Sequence, residues 1–308
     1  MAAVTLIEAA KALPPREEFR SAAIEIYASA TDLLAAMPFQ TITGNAVRWN
    51  QQAVLPASAF RKVNGSYTST TGSFSPQMEP LVIAGGDLQV DPFITATMGE
   101  DQRGQQERLQ LISLAHNFSH KIIKGDSATT AEEFNGLQTR LTGNQLYSNG
   151  STSGGDPLSL FNLDAAIARV DRPTHLLMCQ ALWRRFWQAQ RAGLFGQIQL
   201  STNQAGVQIL TYGSLPILIS DRNSDVNATT GFNEAGAGGG STATSIYILS
   251  LGEGMLTGIQ HSLPDVRDLG EQVTPYLLTR FEWYASFALW HPRCACRMYG
   301  ISNAAIVA

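Results

Sequence analysis

Charged side chains are what this chain has least of. Only 15% of its 308 residues are Asp, Glu, Lys or Arg, against roughly 25% in an ordinary soluble domain. Lysine is nearly absent: Lys11, Lys62, Lys121 and Lys124 are the whole set. The hydrophobic fraction, 44%, is ordinary, so the deficit belongs to the surface, where Ser, Thr, Asn, Gln and Gly fill the gap. Buried interface cores are depleted in charge in the same way. Such a surface suits extensive association, although a secreted, charge-poor β enzyme would share the composition. The net charge of −4 supplies no general attraction for a polyanion or an anionic membrane.

Three cysteines, Cys179, Cys294 and Cys296, cannot make a disulfide framework, because one is left over and the other two lie two apart on an expected strand. They fit a reducing compartment and the role of small buried hydrophobes. The opening MAAVTLIEAAKAL lacks a basic leading region and carries Glu8 and Lys11 inside its apolar stretch, so no signal peptide is expected. No stretch approaches the roughly 18 uninterrupted apolar residues of a membrane span.

Catalytic signatures are equally sparse. The nearest approach to G-x-S-x-G, GSTSG from Gly150, has Thr152 where the nucleophile belongs. No lysine sits in a phosphate-cradling G-x-x-x-x-G-K-S/T. Gly252, Gly254 and Gly258 follow an apolar strand, but the third glycine comes one residue late for a dinucleotide loop. His116 and His120 have the helical spacing that lets two imidazoles share a metal, yet no Glu lies between them to activate water. Trp183, Phe186 and Trp187 share a helix face and read as core rather than as a base-stacking patch beside Arg184 and Arg185. No catalytic residue, cofactor or metal ligand is assigned.

What is present is an ordered series of elements. The chain exceeds the roughly 250 to 300 residues at which one core stops growing, so about two packed units are expected. Thr5 and Glu8 have capping-box spacing for a short helix that stops before Pro14 and Pro15. Phe19, Ala23, Ile26, Ala30, Leu33 and Met37 recur at steps of four and three, which predicts one helix of about five turns ending before Pro38. From Thr41 to about Ala84 an apolar-poor stretch reads as a long β hairpin, with Asn64-Gly65 at a turn that needs positive φ. Such a ribbon is marginal alone and must lie on something. Glu100 to Lys124 reads as the longest helix, with Leu111, Leu114, Ala115, Phe118 and Ile122 on one face and Gly125 as its stop.

Helices at Leu160 to Val170 and Cys179 to Arg191 flank the strand THLLM, and strands GVQILTY, LPILIS and SIYILSL follow. A flexible Gly-rich loop is expected from Asn223 to Thr244, and a closing strand pair at Tyr276 to Trp290 and Cys294 to Ile301. On the first of these, Arg280 and Glu282 are expected to pair on one face, opposite Phe281 and Trp283. The class is α+β.

In this order the elements resemble the major capsid protein of tailed bacteriophages, the Hong Kong 97-type fold. The residues that carry the resemblance are KGDSATTAEEFNGL, with Gly125, Asp126, Phe134, Gly136 and Leu137, and RFEWYASFALWHPRCACRMYGI, with Glu282, Trp283 and Tyr284. SIYILSLGEG ahead of Gly258 is similar too. The resemblance implies an N-terminal arm (1–40), an extended hairpin or E-loop (41–86), a peripheral domain with a spine helix (87–173), an axial domain (174–255) and C-terminal strands (256–308) that return to the peripheral domain and finish on the axial one.

It implies a non-enzymatic virion protein that forms the hexamers and pentamers of an icosahedral shell in the host bacterial cytoplasm. The shell would enclose double-stranded DNA without sequence-specific binding. A separate scaffold protein, a portal and a decoration protein are the implied partners, and no membrane is involved. Contacts between subunits are expected from Phe19, Ile26 and Leu33 on the arm and from Trp49, Phe60, Arg61, Lys62 and Phe74 on the hairpin, since one copy has nowhere to bury these stripes. Lys62 is available for a covalent cross-link, but no acceptor Asn or activating Glu is assigned to it. Two other readings stand beside this one: an encapsulin-like nanocompartment shell, and a metal-dependent hydrolase resting on His116 and His120.

Overall fold

The computed structural model describes residues 3–14, 18–98, 101–193, 198–202, 208–220, 231–271 and 275–307. It begins with β1 (Val4–Thr5) and α1 (Leu6–Lys11), where Thr5 and Glu8 cap one another reciprocally as expected. The expected five-turn helix is instead two, α2 (Glu18–Ser29) and α3 (Asp32–Ala36). The break lies at Thr31, whose backbone is extended and whose hydroxyl accepts from Leu34 N at 3.4 Å while bonding Ser119 Oγ at 2.8 Å. A threonine that finds such partners competes with the helical ladder.

β2 (Pro38–Thr41) follows, then the ribbon strands β3 (Ala46–Val54) and β4 (Ser73–Pro80), then β5 (Val82–Val90) and α4 (Pro92–Met98). The long helix α5 (Asp101–Lys124) ends at Gly125 as expected, with Gly125 N donating to Lys121 O at 2.8 Å. Beyond it come α6 (Leu137–Arg140), β6 (Leu146–Ser148), α7 (Leu160–Ile167), β7 (His175–Met178) and α8 (Gln180–Arg191). The chain continues through β8 (Ile198–Thr202), β9 (Gln208–Tyr212), β10 (Leu215–Ile219), β11 (Glu234–Gly236) and β12 (Gly239–Leu249). It closes with β13 (Leu256–Gln260), β14 (Asp265–Glu271), β15 (Leu277–Leu289) and β16 (Ala295–Ile301).

One strand organises the first sheet. β5 covers one edge of β15, from Leu277↔Val90 to Ala285↔Val82, while β14 and β13 share its other edge in succession. β2 runs parallel beside β13, and β1 closes the sheet. Gly258 faces Phe39 there, and a Cβ on it would lie 2.2 Å from the Phe39 ring, so only glycine lets these strands approach. The second sheet has eight strands, in the order β6-β16-β12-β7-β10-β9-β8 with β11 also on β12.

Two expectations are corrected here. The closing strands do not pair with each other: β15 lies in the first sheet and β16 in the second. The crossing at Pro292 hands the chain over, with Trp290 N bonded to Met255 O at 2.9 Å on one side and Ser250 N to Cys294 O at 2.9 Å on the other. The Gly-rich loop is shorter than expected, because β11 and most of β12 fall within it; residues 221–230 lie outside those described.

Both faces of the second sheet are buried along the second half of β12. Along β12, Tyr247 and Leu249 enter a core built with α2, α5 and β15, while Ile246 and Ile248 enter a core built with α7 and α8. This is the period-two alternation of a central strand, with an apolar layer on either side.

Candidate functional site

Among the described residues the most exposed large apolar side chains, Phe60 and Val63, lie on the β3–β4 ribbon. Its strands pair from Ala46↔Pro80 to Val54↔Ser73, and residues 55–72 beyond them are all exposed. At the tip, Lys62 O accepts from Gly65 N at 3.0 Å, and the positive φ falls on Asn64, at 65°. Arg61 lies 5.5 Å from the centre of the Tyr67 ring and donates to Gly65 O. Phe60 is 107% exposed, so its ring touches almost nothing of its own chain; Leu55 and Val63 are also exposed beyond the strands, and Phe74 and Met78 are exposed further down, on β4.

The root is anchored instead. Arg140 on α6 donates to Glu79 at 2.6 Å while its guanidinium lies over the Phe287 ring at 4.4 Å. Burial raises the Glu79 carboxyl above its usual range, with Arg140 pulling the other way. Trp49 packs on Trp290 with ring centres 4.9 Å apart.

These positions divide the expected contact residues. Phe60, Arg61, Lys62 and Phe74 lie exposed on the ribbon. Trp49 belongs to the root and is half-buried against its own chain. Leu33 is a correction: it is 0% exposed inside the first core, packed there by the turn at Thr31, and is unavailable to another copy. Ile26 is partly buried against the same core, as is Ala30, while Ala23 and Met37 are wholly inside it. From Ala23 to Met37 the arm stripe is therefore covered, wholly or in part, within one chain. Phe19 lies on α2, but its side chain falls outside the described residues.

The motif residues form a tie at the end of α5. Gly125 O accepts from Gly136 N at 2.8 Å, and a Cβ at Gly125 would meet Phe134 O at 2.4 Å. Asp126 closes the turn by accepting from Thr129 Oγ1 and Ala128 N, which hold its carboxyl below the usual range. Phe134 meets the rings of Phe118 and Phe287 edge-on, and Leu137 is fully buried. On β15, Trp283 is buried and donates to Gln260 Oε1 at 3.1 Å. Arg280 and Glu282 do share the opposite face, but each finds a cross-strand partner: Arg280 grips Asp87 with two bonds of 2.7 and 2.8 Å, and Glu282 takes Arg267, while also accepting from the Tyr284 hydroxyl on its own strand. The expected pair is corrected accordingly: Asp87 lies opposite Arg280 in register, and Arg267, itself opposite Arg280, reaches Glu282 on the diagonal.

Among the described residues no group of three or more His, Cys, Asp or Glu side chains is placed to hold a metal ion. Burial, reinforced by Lys121 and Lys124, holds the His120 imidazole down at about 4. Cys294 is pushed up to about 12 and Cys296 to about 11, chiefly by burial, so neither is a ready thiolate. Phe186 is in the second core, and Trp183 and Trp187 stack beside it at 5.7 Å.

One cluster had no sequence signal. Glu234, buried at the start of β11, receives Arg297 at 3.0 Å and Ser245, with Lys124 Nζ 3.5 Å away. It ties the end of α5 to the second sheet from inside what reads as a glycine loop.

No family model matches the chain, and no curated protein matches it in sequence. Solved structures do match in fold. An encapsulin of Synechococcus elongatus PCC 7942 superposes with a TM-score of 0.65 at 17% identity, over 90% of this chain and 89% of that one. A chain from the structure of Mycobacterium phage Bobi gives 0.61 at 11% identity, over 87% and 89%. The capsid of an empty GTA particle gives 0.57 at 10% identity, over 89% and 90%. Nearly the whole length is shared in each case. The chain has the Hong Kong 97-type capsid fold.

Proposed function

We propose that this chain is the major capsid protein of a tailed bacteriophage, a structural subunit that self-assembles into the icosahedral head around double-stranded DNA. The observation that carries the reading is the ribbon: eighteen described residues, 55–72, project with Phe60 bare and nothing of their own chain to rest on. Exposed apolar patches of this kind mark association surfaces. In the proposed shell Phe60, Arg61, Lys62 and Phe74 meet neighbouring copies in hexamers and pentamers. Residues 1–40 act as the arm, 41–86 as the E-loop, 87–173 as the peripheral domain and 174–255 as the axial domain, with 256–308 returning across both. If each contact removes on the order of 1,600 Å² of surface, several per subunit hold a shell together although each is weak. The net charge of −4 keeps the wall from gripping the packaged duplex. A separate scaffold, a portal and a decoration protein are the proposed partners, and the virion is the proposed location.

An encapsulin-like shell is the second reading, favoured by the encapsulin match at a TM-score of 0.65. Electron microscopy of the expressed protein, alone and with a candidate scaffold, tests both. Closed particles of defined size are expected, and a chain that stays monomeric under every condition overturns both. Particles isolated from their source that hold a protein cargo instead of DNA favour the encapsulin. Phe60→Ala is expected to cut particle yield at least about fivefold while leaving monomer solubility unchanged, as for an interface anchor.

A further inference from the structure

Three Asn-Gly pairs occur in the chain: Asn64-Gly65, Asn135-Gly136 and Asn149-Gly150. Such pairs are open to internal attack, because glycine has no Cβ to obstruct the approach of its own backbone nitrogen to the preceding side-chain carbonyl. By sequence the three are equivalent. The structure separates them.

Asn149 is 6% exposed, and its amide donates to the carbonyls of Asp156 at 3.0 Å and Pro157 at 2.8 Å while accepting from Ser159 N at 3.2 Å. Asn135 accepts from both the backbone and the hydroxyl of Ser127, at 3.0 and 2.9 Å. The nitrogen that would attack it, Gly136 N, is tied to Gly125 O at 2.8 Å in the turn that ends α5. Either reaction requires taking apart packed structure. Asn64 sits exposed at the ribbon tip, in the left-handed region at φ 65°, and its side chain has no bonded partner among the described residues. Gly65 N is held by one turn bond of 3.0 Å to Lys62 O, among residues that are all exposed. Opening it costs little compared with opening a packed segment.

We propose that Asn64 is a covalent modification site, converted without an enzyme to aspartate and isoaspartate in the unassembled subunit. The Gly65 nitrogen attacks Asn64 Cγ; the new N–Cγ bond forms as the Cγ–Nδ2 bond breaks, and the amide group leaves as ammonia with the proton shed by Gly65. The resulting cyclic imide takes up one water. Opening at the Cγ carbonyl gives aspartate, and opening at the backbone carbonyl gives isoaspartate, whose main chain runs through Cβ. Water is the only co-reactant. Either product sets a negative charge beside Arg61 and Lys62, and isoaspartate also lengthens the turn that presents Phe60.

The test incubates the full chain, kept unassembled, in mildly alkaline buffer with and without urea, and follows all three pairs by peptide mapping. In the native protein Asn64 is expected to convert more than about tenfold faster than Asn135 or Asn149, a ratio that needs only about 1.4 kcal/mol of difference in opening free energy. In urea the three rates converge. Gly65→Ala, which puts a Cβ 3.2 Å from Lys62 O, is expected to slow Asn64 several-fold. Similar native rates at the three pairs, or an unchanged Asn64 where urea converts all three, overturns the assignment. Because no shell is involved, this result is independent of the proposed function.

Discussion

Gly258 sets the spacing between β13 and β2, and its substitution is expected to be costly. Gly258→Ala drives a methyl into the Phe39 ring, so a loss of about 1 to 3 kcal/mol is expected in denaturant unfolding, part of it recovered when Phe39→Leu makes room. His120 supplies a pH dependence. Unfolded it titrates near 6.5 and folded at about 4, so the unfolded chain takes up the proton first as pH falls between those values. The contribution is fully present above about 6.5 and declines towards about 4. Since the ring keeps some solvent, the loss is held to about 2 kcal/mol or less. A stability-against-pH curve for His120→Gln should be flatter across that window. At this scale the sequence was informative where chemistry is local: the Thr5–Glu8 cap and the Gly125 stop need only neighbours within five residues. Gly258 looked like part of a weak dinucleotide motif because its reason, Phe39, is remote in sequence.

The ribbon behaves as two parts, a fixed root and a free tip, and the two should respond differently to substitution. Arg140→Met leaves Glu79 half-enclosed without its cation, so hydrogen exchange is expected to rise along β3 and β4 near the root, with a stability loss of about 3 kcal/mol. Trp49→Ala should likewise destabilise the free subunit by removing the stack on Trp290, whereas Phe60→Ala should leave thermal unfolding unchanged. Equal effects from the two would remove the distinction. The hairpin and its exposed aromatics were legible from sparse hydrophobicity and the Asn-Gly turn. The root was not, because Glu79 and Arg140 are 61 positions apart and neither sits in a recognisable pattern. The break at Thr31 escaped notice because the apolar stripe continues through it. β14, reading DVRDLGE, was missed because it is a polar strand along the edge of β15.

Across the whole molecule, about two packed units were expected and two cores are present, but they rest on opposite faces of one eight-stranded sheet. Denaturant unfolding followed by tryptophan fluorescence and by far-ultraviolet circular dichroism is therefore expected to give coincident single transitions. Separated midpoints would mean that the halves melt alone. The sheet draws β6 and β16 from segments that flank its other strands in the chain, which no linear division of the sequence reveals. Glu234, Arg297 and Lys124 bolt the end of the spine onto the same strands. A force applied to either half thus reaches the other through β12 and β16 with no slack joint between them. In the proposed shell such a chain would act like a stiff tile with a loose strap: curvature would be left to how straps are fastened, while each tile kept its shape.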